Sequence, residues 1–379
     1  SMILIPRIFQ GISGAMIFST NTAILVNAFP KERRGKVLGY SVMMVYAGLS
    51  MGPVLGGVLT HNFKWPSIFI VSMIFGLIAF IVAVIGLPKT DDTAHSVTGK
   101  GKYDLPGMLL YSIMIFCILY GFSSIGAGSS FDFAFTVFGA QLIFRFNLLL
   151  IILGVVLALI FGRHELRARL PVLQLRLFKK NPNFLFSNLA SLLNYGATYA
   201  VTYLLSIYLQ LIALYDAQIT GIILIIQPLI QTVLSPLAGR LSDKYSPFKL
   251  ASLGMAFCTA GLVSYLFITV DTSMVHIIIN LVIVGIGFAL FSSPNTNAIM
   301  SSVKPQDSTV ASSLISTMRN LGHVTSMAIL TLIMSAHLGS ATFQDATPEQ
   351  LVDTMHTGFI VFTIICAVGI FVSLQRKKK

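Results

Sequence analysis

Ionisable side chains inside long apolar runs are the first residues to weigh, because a charge there is costly and usually functional. Arg7 lies in "PRIFQGISGA", with Gln10 three residues on and so on the same helical face. It is either a working cation or a side chain that snorkels to the nearby interface. His323 is the histidine placed well inside an apolar run, and an imidazole is suited to exchanging protons. A hydrogen-bonded packing role is the plainer reading for it. All 13 acids fall at the ends of apolar runs or between them, so no carboxylate stands in the middle of one.

Uncharged polar groups are more plentiful. In "NFLFSNLASLLNYGATYAVTYLLSIYLQ", Asn188, Ser191, Tyr195, Thr198 and Thr202 recur at helical spacing and share a face, flanked by Asn194 and Tyr199. Gln227 and Gln231 stand one turn apart, and Asn295 and Asn297 follow Pro294. Such residues either bond to neighbouring helices or line a wet cavity. Enzyme chemistry finds no support. There is no G-x-x-x-x-G-K-[ST] loop ("TGKGK" at 98–102 is incomplete), and no H-E-x-x-H, C-x-x-C or G-x-S-x-G. No nucleophile has a base at a recognisable spacing. We expect no enzyme, no metal and no cofactor, so transport would draw on an ion gradient.

The elements that position these groups follow from composition. Of 379 residues, 55% are hydrophobic and 10% charged, and mean hydropathy is +0.84. A soluble domain carries about 25% charged residues, so this chain belongs in lipid. Eleven segments can cross a ~30 Å hydrocarbon core: near 2–27, 36–60, 66–87, 104–126, 144–162, 183–212, 217–238, 249–270, 275–300, 308–337 and 354–374. All should be helices, because lipid offers no partner to a free backbone group. Cys117, Cys258 and Cys366 each lie within such a run, which implies no disulfide framework. A net charge of +12 would suggest nucleic acid in a soluble protein. Here 21 of the 25 basic residues fall in alternate connections, which places those connections and the C-terminus in the cytoplasm. Eleven spans then put the N-terminus outside, and an odd number of spans upstream would repair that. We therefore expect a truncated chain, with Ser1–Met2 either a tag remnant or the middle of a longer protein.

The spans group as 3 + 2 + 6. Residues 1–88 would be the remainder of an N-terminal helical bundle. Residues 89–182 would hold a polar linker, two inserted spans and a basic stretch lying on the membrane surface. Residues 183–379 would form a six-helix C-terminal bundle.

Glycine carries the last signal. In "GLSMGPVLGG", Gly48, Gly52 and Gly56 share a face with Gly57 beside it, so a neighbouring helix should approach closely; Pro53 should bend the span. The pattern resembles the antiporter motif in the fifth span of major facilitator superfamily exporters. "PRIFQGISGA" is similar to that family's fourth-span pattern, through Arg7, Gln10, Gly11 and Ala15. "GRLSDKYSPFK" resembles its loop motif, through Gly239, Arg240, Leu241, Asp243, Lys244 and Lys249, with Ser246 where a second glycine is usual. "SLISTMRNLGHVTSMAIL" resembles a late span of fourteen-span exporters, with Arg319 and Gly322 in place and Ser326 where a glycine is usual.

The whole chain resembles the fourteen-span drug–proton antiporter family from its fourth span onward. The resemblance implies an all-α integral membrane protein of that superfamily's fold, with about 11 of 14 spans and the first three absent. Those three carry the family's first-span acid and the first copy of the loop motif. It implies proton coupling at Arg7 and Gln10, and a moving seal at Gly48, Gly52, Pro53, Gly56 and Gly57. An inner latch is implied at Gly239–Lys249, where Asp243 would meet a helix N-terminus or a base. The cavity wall would be Asn188, Ser191, Asn194, Tyr195, Thr198, Tyr199, Gln227, Gln231 and Asn295. The expected function is proton-coupled export of hydrophobic, cationic drug-like compounds across the inner (plasma) membrane, by a monomer whose partners are substrate, protons and lipid and not nucleic acid. Export of a native metabolite or peptide is the alternative, and a non-transporting fragment is the other.

Overall fold

The computed structural model describes residues 4–86, 104–126, 132–137, 140–168, 171, 178, 181–338 and 346–376. Each of the eleven expected segments is helical. Helices α1 (Leu4–Ala28), α2 (Arg34–Phe63) and α3 (Pro66–Gly86) come first, then α4 (Leu105–Gly126) and α5 (Phe146–Arg167). Helix α6 (Pro182–Ile207) runs on into a π-helical turn, Tyr208–Ile212. The segment expected at 217–238 is two pieces, α7 (Ala217–Leu224) and α8 (Ile226–Lys244). The break has a local cause: Pro228 has no N–H for the carbonyl of Leu224. Helices α9 (Pro247–Tyr265), α10 (Met274–Ser301), α11 (Ser308–Leu338) and α12 (Pro348–Leu374) complete the chain. Helix α12 starts six residues earlier than expected because Thr347 and Gln350 form a reciprocal capping box.

Nine helical stretches among the described residues are long and apolar enough to cross a membrane unaided. Helix α6 is not one of them. Its polar stripe lowers its hydropathy, and it compensates by being enclosed: fifteen of its 26 residues are buried. One element departs from the helical plan. Strands β1 (Asp132–Val137) and β2 (Ala140–Arg145) pair antiparallel between α4 and α5, where "DFAFTV" alternates as a strand does. The polar linker at 87–103 and most of the basic surface stretch lie outside the described residues.

The main hydrophobic core lies among α6, α9, α10, α11 and α12, around Tyr208, Tyr265, Phe291, Phe359 and Phe362. Tyr265 stacks on Phe359 at 5.2 Å. Helices α9 and α10 cross at glycine: a methyl on Gly254 would sit 2.6 Å from the Gly287 carbonyl, and one on Gly287 would sit 2.7 Å from the Cys258 amide. The three cysteines are buried and free.

The first three helices are covered far less. Helix α3 has no buried residue. Helix α1 leans on α11, where Asn27 donates to Ser308 Oγ at 3.1 Å and Ser316 Oγ donates to the Phe18 carbonyl at 3.0 Å. The start of α2 meets the end of α8, and Asn181 ahead of α6 donates to Ser302 after α10. These contacts gather the Lys- and Arg-rich connections at one end of the molecule, called the basic end below.

Candidate functional site

The basic end is closed by a crossing of α2 and α8. A methyl on Gly39 would lie 2.7 Å from the Ser235 carbonyl, and one on Gly239 would lie 2.9 Å from Gly39 Cα and closer still to the Gly35 carbonyl. With the backbones that near, the Asp243 carboxylate reaches across to the first turn of α2. Its Oδ1 accepts the Gly35 N–H at 2.7 Å and its Oδ2 accepts the Lys36 N–H at 2.8 Å. Arg33, at the N-cap position of α2, contributes no side-chain cap, so Asp243 caps the helix in trans. Such a carboxylate satisfies two orphan amides and faces the positive end of the helix dipole, an effect of up to about 2 kcal/mol. Arg240 adds a 2.9 Å hydrogen bond to Tyr40 Oη, while Lys244 and Lys249 are exposed. Ser246 has φ −56° and precedes Pro247, so that position needs no glycine.

Away from this closure the helices part around a cavity of about 650 Å³, within the usual range for a drug-sized ligand. Its walls are Phe18 of α1, Tyr46 and Leu49 of α2, Tyr195, Thr198, Tyr199 and Thr202 of α6, and Gln227 and Gln231 of α8. Phe288 of α10 and Arg319, Asn320 and His323 of α11 complete the inner part, with Gln210 and Thr220 further along.

Helices α6 and α11 come together at Gly322, where a methyl would stand 2.8 Å from Tyr195 Cβ. Ser326 Oγ accepts the Ala200 N–H at 2.9 Å. Two side chains four apart on each helix therefore face one another. The Arg319 guanidinium lies over the Tyr195 ring at 5.2 Å, and His323 stacks on Tyr199 at 4.2 Å. Tyr195 is also edge-on to His323 at 5.3 Å, and its hydroxyl pairs with Ser292 Oγ at 3.1 Å. No carboxylate lines the cavity among the described residues.

Several expectations need correcting. Of the expected wall, Tyr195, Thr198, Tyr199, Gln227 and Gln231 line the cavity, and Asn188, Ser191, Asn194 and Asn295 do not. The polar stripe on α6 has two fates. Its upper part meets open space, while its lower part is packed against α10. There the Asn295 amide donates to Ser191 Oγ at 2.7 Å, and Asn295 Oδ1 accepts from Arg376 at 2.9 Å. Burial pulls the Arg376 guanidinium below its ordinary pKa, to about 9. Asn188 donates to its own helix at the Phe184 carbonyl, and Asn194 is wholly buried.

Arg7 is exposed, hydrogen-bonded to Gln10 at 2.9 Å and 5.5 Å from the Phe69 ring centroid. It lies eleven residues, or ~16 Å along α1, from the cavity residue Phe18. The close contact expected at the glycine stripe is also missing. A methyl on Gly48, Gly52, Gly56 or Gly57 would meet no described atom within 4 Å; of Pro53 the described geometry gives only its place in the helix. The tight crossing on α2 is made instead by Gly35 and Gly39.

Arg319 and Tyr46 were not expected at the site. The signal for Arg319 was present, since it is a lone cation deep in the 308–337 segment. Nothing in the sequence marks Tyr46.

Apolar helices around a largely apolar cavity that carries a few polar groups, with a capped crossing of two helices toward one end, are the arrangement of a membrane transporter. Residues 1–327 match the Major Facilitator Superfamily as a whole, and the chain belongs to that family. It is therefore a transporter and not an enzyme. The riboflavin transporter RibZ of Clostridioides difficile (strain 630) is 28% identical over 382 residues, covering 100% of this chain and 78% of that protein. The lincomycin resistance protein LmrB of Listeria monocytogenes is 25% identical, again over 100% of this chain and 78% of its own length. A multidrug resistance protein B homolog of Mycobacterium tuberculosis (strain CDC 1551) is 27% identical, over 88% of this chain and 59% of its own.

Proposed function

We propose that the protein is a secondary active exporter of hydrophobic, drug-like compounds, driven by exchange for protons. The observation that carries this reading is the cavity between α1 and α2 on one side and α6, α7, α8 and α11 on the other, with α2 and α8 crossing tightly toward the basic end. Similarity to the lincomycin and multidrug resistance proteins supports drug export. Basic residues stay cytoplasmic, so the basic end and the C-terminus face the cytoplasm of a plasma (inner) membrane. A monomer is sufficient, with lipid, substrate and protons as its partners. His323 is the titratable imidazole at the cavity and the better candidate for proton coupling than Arg7, which lies away from it.

The cationic part of the expected substrate is not kept, because the fixed charge in the described lining is a guanidinium with no carboxylate beside it. A second reading, transport of a flat heteroaromatic metabolite, is favoured by the tyrosine and histidine walls and by similarity to the riboflavin transporter. Both readings are tested by reconstituting the chain in proteoliposomes and following riboflavin and a panel of fluorescent dyes under an imposed pH gradient. Flux that collapses when a protonophore is added is the expected result. Absence of gradient-dependent flux for every compound would favour the non-transporting alternative.

A further inference from the structure

We propose that Arg319, Tyr195, Tyr199 and His323 form a subsite that selects planar aromatic solutes bearing an anionic or carbonyl-rich edge. The proposal deepens the transport reading and takes its purpose from it, but the binding chemistry stands on the cavity alone.

The guanidinium is the first argument. It carries five N–H donors in one plane and no acceptor. The Tyr195 ring lies 5.2 Å from its central carbon, and a side-chain hydrogen bond with Tyr195 engages part of the donor set. Nε of Arg319 is enclosed and has no hydrogen-bond partner among the described residues. A desolvated donor without an acceptor is costly, and neighbouring carboxylates, the usual remedy, are absent from the described lining. A ligand that brings a carboxylate, a phenolate or paired carbonyls supplies the acceptors, and their planar spacing suits the fork of an arginine. A cationic ligand would leave that fork unanswered and would add charge repulsion.

The aromatic wall is the second argument. Tyr199 stacks on His323 on one side and is 48% exposed, so the rest of its surface faces the open space. Tyr199 stands one helical turn beyond Tyr195, and His323 one turn beyond Arg319. A flat ring system laid along Tyr199 would therefore point one edge at Arg319. Ring stacking of this kind adds about 0.5–1.5 kcal/mol beyond buried area. Gly322 holds the arrangement together, since its lack of a side chain lets α11 come close enough to α6 for the four groups to meet.

The test uses the purified chain in detergent micelles and two dyes that share one planar xanthene core: fluorescein, an anion, and rhodamine 6G, a cation. Binding is read by fluorescence anisotropy. Wild-type protein should bind fluorescein about tenfold more tightly than rhodamine 6G, the scale of one charge-assisted hydrogen bond. Arg319→Gln should abolish that preference. Tyr199→Leu, at a half-exposed position where folding is not at stake, should weaken both dyes. Equal or tighter binding of rhodamine 6G by the wild type, or fluorescein affinity unchanged in Arg319→Gln or in Tyr199→Leu, overturns the proposal. Micelle binding needs no gradient. A missing preference therefore sinks the subsite alone, whereas a clear preference without flux in vesicles sinks the transport reading alone.

Discussion

Single carboxylates do two separate structural jobs at the basic end. Asp243 caps α2 from another helix, so its oxygens hold two elements together rather than one. Asp104, just ahead of α4, accepts from His164 of α5 at 2.8 and 3.0 Å. That hydrogen bond, helped by the Gly107 N–H, holds the Asp104 carboxyl below its ordinary pKa. A depressed carboxylate contributes stability that is present above its unfolded pKa of about 3.9 and lost as pH falls through the folded value. Asp104→Asn should therefore melt below wild type at pH 6, and the gap should close as pH drops below about 4. A gap as wide at pH 3 as at pH 6 would show that the pair does not titrate in this way. Legibility at this scale was uneven. Asp243 stood out because its place at a helix end offered either a helix N-terminus or a base as partner, and the fold supplies the first. Arg319 was visible as a lone cation within an apolar segment, but its spacing gives no sign that it meets Tyr195 across the cavity.

Elements carry the clearest contrast. Helix α2 holds two glycine sets, and the sequence directed attention to the wrong one for close packing. Gly48, Gly52, Gly56 and Gly57 face open space among the described residues, whereas Gly35 and Gly39 touch α8. Spacing shows that a face is small, not which neighbour covers it. Gly39→Val should destabilise the α2–α8 crossing by about 1–3 kcal/mol through overpacking, and Gly52→Val should leave thermal stability nearly unchanged. Equal melting of the two variants would contradict the assignment. Helix α6 teaches the same lesson along its length. Its 3-4-3-4 polar face was legible, but its division into a packed lower part and an open upper part depends on where α10 brings Asn295. That is a tertiary fact, and no local pattern encodes it. The β1–β2 hairpin was not legible in the sequence, because an alternation of six residues is brief beside the helical runs around it.

At the scale of the molecule, hydropathy was sufficient to place the eleven apolar segments as helical, since lipid leaves the backbone few choices, but not for the break in the 217–238 segment or for every bound. The charge bias was sufficient to group the connections at one end. Neither indicates which helices meet, so the cavity and its guanidinium had to come from the fold. Export of the proposed kind requires that the α2–α8 crossing open when the cavity closes on its other side. The most direct measurement places spin labels at two pairs of exposed positions, Lys36 with Lys244 at the basic end and Asn62 with Gln218 toward the other. The native cysteines are buried and free, which keeps them from taking label. Pulsed electron resonance should give two populations for each pair, shifting in opposite senses between low and high pH. Asp243→Ala should enrich the population with Lys36 and Lys244 far apart. A single unchanging distance for both pairs, in wild type and in the variant alike, would contradict that opening.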